Sequence, residues 1–152
     1  MGRALGILAT YVVVGPLIGL VVFAAGIALL AVANGQTQGA WLGPFFLLYG
    51  IVFAHFIGAP WAVLAGGVAV VLDRWRGKGA RWIGAASGAA SFAVAYVAGA
   101  ARLPPGPESP VGQVVDGYGP GFALLMAVVH ILSAAGAWGL ARGLAGLVAR
   151  KG

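Results

Sequence analysis

Two histidines are the residues of this chain best placed to do chemistry. His55 lies in VFAHFIGAPW (52–61) and His130 in LLMAVVHILS (124–133). The stretches around them, 4–72 and 117–141, contain no Asp, Glu, Lys or Arg. An imidazole in such surroundings can ligate a metal, relay a proton, hydrogen-bond a ligand or tie two helices together. Pro60 follows His55 by five residues. It lacks the N–H that would bond the Phe56 carbonyl, so a bend and an open carbonyl are expected beside the ring. Ser87, Ser91 and Ser133 supply the nearby hydroxyls. Any of them can hold a neutral imidazole as simple packing glue, which is the plainest role for either histidine.

The elements that position these rings follow from composition. Of the 152 residues, 61% are hydrophobic and 8% charged, whereas a soluble domain carries about 25% charged residues. Three stretches are free of charge: 4–72, 82–101 and 117–141. A membrane-crossing helix needs roughly 20 apolar residues, so the second and third supply one span each. The first is long enough for two and is broken by NGQTQGA (34–40), a turn signal. The expectation is an all-α integral membrane protein, a single domain over 1–152 with four transmembrane helices near 5–33, 41–72, 82–101 and 118–141. Arg3 followed by an apolar run imitates a secretory signal. The run is about twice the usual 7–15 residues of a signal core, so it reads as a retained first helix.

Positive charge orients the bundle. DRWRGKGAR (73–81) joins the second and third helices, and Arg3, Arg142, Arg150 and Lys151 lie towards the ends. Basic residues beside helix ends mark the cytoplasmic face, which puts both termini inside an up-down-up-down bundle in a bacterial inner membrane. The net charge of +6 is then topological, and no nucleic-acid partner is expected. Trp41, Tyr118, Trp75 and Trp82 fall at the expected interfaces, while Trp61 and Trp138 lie deeper, between helices. The prolines of RLPPGPESPVGQVVDGYGPG (102–121) predict an extended outer connection rather than a helix.

Depth and packing then bear on the histidines. His130 is twelve residues from both Tyr118 and Arg142, about 18 Å from each, and so near the middle of its helix. His55 is at a similar depth. GPFFLLYGIVFAH (43–55) and GPGFALLMAVVH (119–130) place their histidines alike, a trace of a duplicated hairpin. On diagonal helices the two rings can face one another across the core. The chain's 27 glycines favour close helix approach, with small-xxx-small pairs at Gly15/Gly19, Gly84/Gly88 and Gly139/Gly143. Such faces also suit a homo-oligomer or a larger membrane complex.

Several chemistries are excluded. Without cysteine there is no disulfide, thiolate metal site or iron–sulfur cluster. No lysine lies in a span for a Schiff base, no carboxylate pair supports glycosidase-type acid–base catalysis, and no phosphate-binding P-loop is present. The small multidrug antiporters need a membrane carboxylate that this chain lacks.

What remains is a non-catalytic transport protein or accessory subunit, in which His55 and His130, supported by Pro60 and Ser91, form a ligand or proton path. The alternative is an electron-transfer anchor. Two imidazoles at one depth among glycines resemble the haem-binding cores of cytochrome b and of succinate dehydrogenase anchors, and that resemblance implies bis-histidine ligation of a b-type haem. GAASG (84–88) resembles the rhomboid serine motif and implies hydrolysis by a serine–histidine pair, but the rest of that pattern is missing.

Overall fold

The computed structural model describes residues 2–33, 35, 42–76, 80–102 and 110–149. They form four helices, α1 (Gly2–Ala33), α2 (Leu42–Arg76), α3 (Ile83–Arg102) and α4 (Pro110–Ala149). Trp41, nearly all of the 34–40 turn and residues 103–109 lie outside the described residues, as does the side chain of Tyr118. Gly35 closes α1. Its φ of 72° is a conformation that glycine adopts without strain, and its N–H bonds the Val32 carbonyl at 3.0 Å.

One boundary differs from the sequence expectation. α4 begins at Pro110 and runs unbroken through Pro120, where an extended connection was expected. A proline as the first residue of a helix costs nothing, because its missing N–H is one of the groups a helix leaves unbonded at that end. Val111, Val114 and Val115 follow in the first turns of this helix.

The helices form an up-down-up-down ring. α1 packs against α2 and α4, α3 packs against α4 and more lightly against α2, and the parallel α2 and α4 lie diagonally with little contact. α1 and α3 occupy the other diagonal, joined by a hydrogen bond of 3.1 Å between Tyr11 Oη and Ser87 Oγ. Large apolar side chains point outward along the ring, among them Leu29, Leu48, Phe56, Ile57, Val97 and Leu124. Three segments, Gly2–Ala33, Gly50–Trp75 and Ala123–Leu147, are long and apolar enough to cross a membrane. The apolar stretch of α3, Ile83–Ala98, is shorter.

Packing is tight at the end that carries the basic loop. Ile7, Tyr11, Ile83 and Trp138 are buried among Ala65, Ala69, Ala134, Ala137 and Ala141. Alanines on α2 and α4 leave room for the larger rings. Trp138 Nε1 donates to the Ala80 carbonyl at 2.9 Å, fixing the start of α3 against α4. The Gly84 and Gly88 backbones meet α4 directly, since a Cβ on Gly84 would lie 2.7 Å from Ala135 Cα and one on Gly88 would lie 2.5 Å from the His130 carbonyl oxygen.

An ion pair closes the same end. Arg3 holds buried Asp73 through Nε at 2.8 Å and through its terminal nitrogen at 3.1 Å. Because Arg3 is partly exposed, solvent screens the pair. Arg3→Asp is expected to lower stability by about 1 kcal/mol, and adding Asp73→Arg to restore most of it. Unfolding by stepwise addition of SDS, followed by circular dichroism, measures both. Failure of the swapped pair to recover any stability removes the ion pair as a contributor.

Candidate functional site

Beyond this packed end the bundle opens into a cavity of about 490 Å³. Its walls come mainly from α1, α2 and α4, with Ser91 and Ala95 of α3 completing the lining. It extends along α1 from Tyr11 to Phe23, roughly 18 Å at the helical rise. The space exists because the surrounding faces are small. α2 presents Gly50, Ala54, Gly58, Ala62 and Ala65, while α1 presents Gly15 and Gly19. Pro16 is buried at the same level and packs on Gly58, where a Cβ would come within 3.3 Å of the proline ring.

The lining is nearly all apolar, with Tyr11, Ser91, His130 and Ser133 as its hydroxyl and imidazole groups. Their protons can be traced. Ser87 donates to the Gly84 carbonyl at 2.9 Å, so its oxygen is free to accept from Tyr11 Oη. Ser133 donates to the Val129 carbonyl. Ser91 donates to the Trp61 carbonyl at 3.1 Å and lies 3.2 Å from His130 Nδ1. A hydroxyl has one proton and a carbonyl only accepts. Both Ser91 contacts are satisfied when Nδ1–H donates to Ser91 Oγ, which leaves Nε2 with its lone pair. Trp61 and Phe92 flank the imidazole, their ring centroids 6.3 and 5.8 Å from its own.

The structure does not bring His55 to this place. Its Nδ1 lies 2.9 Å from the carbonyl of Ile51 in its own helix, and its Nε2 lies 3.2 Å from the carbonyl of Val13 on α1. The ring therefore ties α2 to α1, three residues ahead of Pro16, and the cavity lining includes its neighbour Ala54 rather than His55. The carbonyl of Phe56, which Pro60 leaves without its usual donor, is not the one His55 uses. Pro60 itself faces outward. Of the four candidate residues, Ser91 and His130 meet, whereas His55 and Pro60 stand elsewhere.

The glycine pairs divide in the same way. Gly15 and Gly19 line the cavity, and Gly84 and Gly88 form the α3–α4 contact. Gly139 and Gly143 are exposed, and a Cβ on either would meet nothing within 4 Å among the described residues.

This arrangement bears on the ligand chemistries. Bis-histidine haem ligation needs a nitrogen from each ring directed at one iron. Both nitrogens of His55 face carbonyl oxygens, and only His130 lines the cavity, so the residues present do not fit that group. A serine nucleophile must pass its proton to the ring, whereas Ser91 directs its proton to a backbone carbonyl. The described residues hold no cluster of three or more metal-binding side chains. The arrangement is suited to holding an apolar molecule.

Sequence reading missed the wall that defines the cavity. Gly50, Ala54, Gly58, Ala62 and Gly66 recur every four residues along α2, a row of small residues on one helical face. That row was the available signal, and His55 lies one residue off it. Comparison of the chain with protein-family models, with curated proteins and with solved structures finds no match.

Proposed function

We propose that this chain is a non-catalytic membrane protein that binds an apolar small molecule inside its helix bundle, as a transport protein or the ligand-holding subunit of a larger complex. The cavity carries the reading. Pockets for small molecules typically enclose about 300–1,000 Å³, largely apolar with a few polar groups, and about 490 Å³ with the Ser91–His130 pair falls in that class.

In this proposal all four helices span a bacterial inner membrane. The 20 residues of α3, about 30 Å long, reach across the hydrocarbon core between Trp82 and Arg102. Both termini and the basic loop after α2 face the cytoplasm, following the distribution of Arg and Lys. The outward apolar side chains meet lipid. The exposed Gly139 and Gly143 offer a close-approach face to a second copy or to a partner subunit, and nucleic acid has no part.

Filling the cavity tests the proposal. The protein is extracted from its membrane into lipid nanodiscs, and its apolar contents are identified by mass spectrometry. Wild type and Val52→Phe, which alters an exposed outward position, are expected to retain one discrete apolar species near one per chain. Ala54→Phe and Ala95→Phe place a ring in the lining and are expected to reduce it at least about fivefold, as overpacking costs about 1–3 kcal/mol. An identical lipid background in all four proteins overturns the reading. Sharp reduced α and β absorption bands in the same material would instead favour a haem anchor.

A further inference from the structure

We infer that the molecule held in this cavity is a hydrogen-bond donor: an apolar body carrying a hydroxyl that donates to Nε2 of His130. The inference rests on the cavity-binding function proposed above and names its ligand class. The lining hydroxyls have committed their protons to protein oxygens, Tyr11 to Ser87, Ser91 to the Trp61 carbonyl and Ser133 to the Val129 carbonyl. Ser87, which takes the Tyr11 proton, gives its own to Gly84.

His130 is left as an acceptor. Its Nδ1–H is held by Ser91, and among the described residues no protein group donates to Nε2. Among the described residues no buried side-chain nitrogen or oxygen lacks a partner, so Nε2 meets accessible space, and His130 lines the cavity. An acceptor covered by an apolar ligand without a donor loses its solvent and gains nothing in return. A ligand carbonyl or ether oxygen facing Nε2 sets two lone pairs against each other. A hydroxyl supplies the missing proton. It can also accept a hydrogen bond, and Trp61, a lining residue whose ring lies 6.3 Å from the imidazole, carries an indole N–H.

The remaining surfaces restrict the ligand to one such group. Phe23, Leu20, Ile57, Met126 and Val129 make the rest of the wall apolar, so a second polar group placed among them is desolvated without a partner. Such a molecule has two sources, a free phenol or a polyprenyl alcohol of the bilayer, and both present the same O–H.

The test compares donors with matched non-donors. Nanodisc-embedded protein is titrated with tritiated 4-hexylphenol and with tritiated farnesol, each beside its methyl ether, by scintillation proximity. The ethers keep the oxygen but lack the proton. At least one alcohol is expected to bind about tenfold more tightly than its ether, the effect of one buried hydrogen bond to an acceptor that otherwise goes unpaired. Which of the two does so separates the phenol from the polyprenyl alcohol. In His130→Leu that preference is expected to fall to within about twofold while the ether still binds.

A second readout is direct. With two histidines in the chain, ¹⁵N-histidine labelling resolves His130, and its Nε2 resonance is expected to move on addition of the alcohol and not of the ether. Equal binding of alcohol and ether, with an unmoved Nε2 resonance, overturns the donor inference and leaves cavity binding intact. Absence of binding by all four probes overturns the proposed function, and the inference falls with it.

Discussion

Gly84→Ala and Gly88→Ala are each expected to destabilise the bundle by about 2–3 kcal/mol, at the upper end of what overpacking costs, and together to detach α3. The added methyl has no room to settle. At Gly84 it meets Ala135 Cα at 2.7 Å and Trp138 Cβ at 2.8 Å, and at Gly88 it meets the His130 carbonyl oxygen at 2.5 Å and Ile131 Cα at 2.7 Å. These atoms are backbone or next to it, so no side-chain rotation relieves the clash and whole helices must separate. In the bilayer setting proposed above, association draws on close packing and polar contacts rather than on exclusion of water, so a wider α3–α4 spacing is not offset elsewhere. Gly139→Ala and Gly143→Ala on α4 meet nothing among the described residues and are expected to change monomer stability by no more than about 0.5 kcal/mol. SDS titration of the four single variants separates the two groups. Equal sensitivity in all four would contradict the α3–α4 contact. A shift in oligomer size confined to Gly139→Ala and Gly143→Ala would mark that face as a subunit interface. Gly88→Ala also carries Ser91 away from His130, so loss of the Nδ1 contact is expected to accompany the loss of stability.

The elements were legible because charge is so sparse. The charge-free runs and the NGQTQGA turn mark out the helices, and alternation of short connections gives the ring order. The start of α4 was less legible, because proline-rich sequence argues against helix without saying which proline sits at a helix start, where it is harmless. An expected depth was readable from the rise per residue. Rotation was not. Each step along a helix turns the side chain by about 100°, and Ala54 lines the cavity whereas His55, one step on, reaches the Val13 carbonyl of α1. The expected equal depth of His55 and His130 therefore never required a shared site. What fixes the rotation of α2 is its row of small residues, where the Pro16 ring settles on Gly58 and Tyr11 lies against Gly66. Ser91 was visible as a hydroxyl at the right depth. Its choice of His130 over lipid or its own helix depends on α3 pressing against α4 through Gly84 and Gly88, which spacing alone suggested but could not orient.

Trp138→Ala is expected to cost about 3–5 kcal/mol, the range for removing a buried large aromatic side chain, and Trp138→Phe about 1–2 kcal/mol, chiefly for the lost hydrogen bond. The indole is 2% exposed and sits where α1, α2, α3 and α4 all contribute to one buried cluster. Its neighbours there are largely alanines, too short to close over the space left by its removal. Phenylalanine keeps most of that volume while leaving the Ala80 carbonyl, bonded at 2.9 Å in the native protein, without the indole donor at the turn into α3. The two variants thus separate packing from hydrogen bonding in a single SDS titration. A cost for Trp138→Phe equal to that for Trp138→Ala would assign the stability to the Ala80 bond. A cost below about 1 kcal/mol for both would mean that the packed end is not what holds the ring together. Tyr11, Ala65 and Ala134 of this cluster also line the cavity, but Trp138 does not. On the proposed cavity-binding function, Trp138→Phe is expected to retain the apolar molecule under native conditions, because the substituted ring stands outside the lining and the small residues that make the space are unchanged.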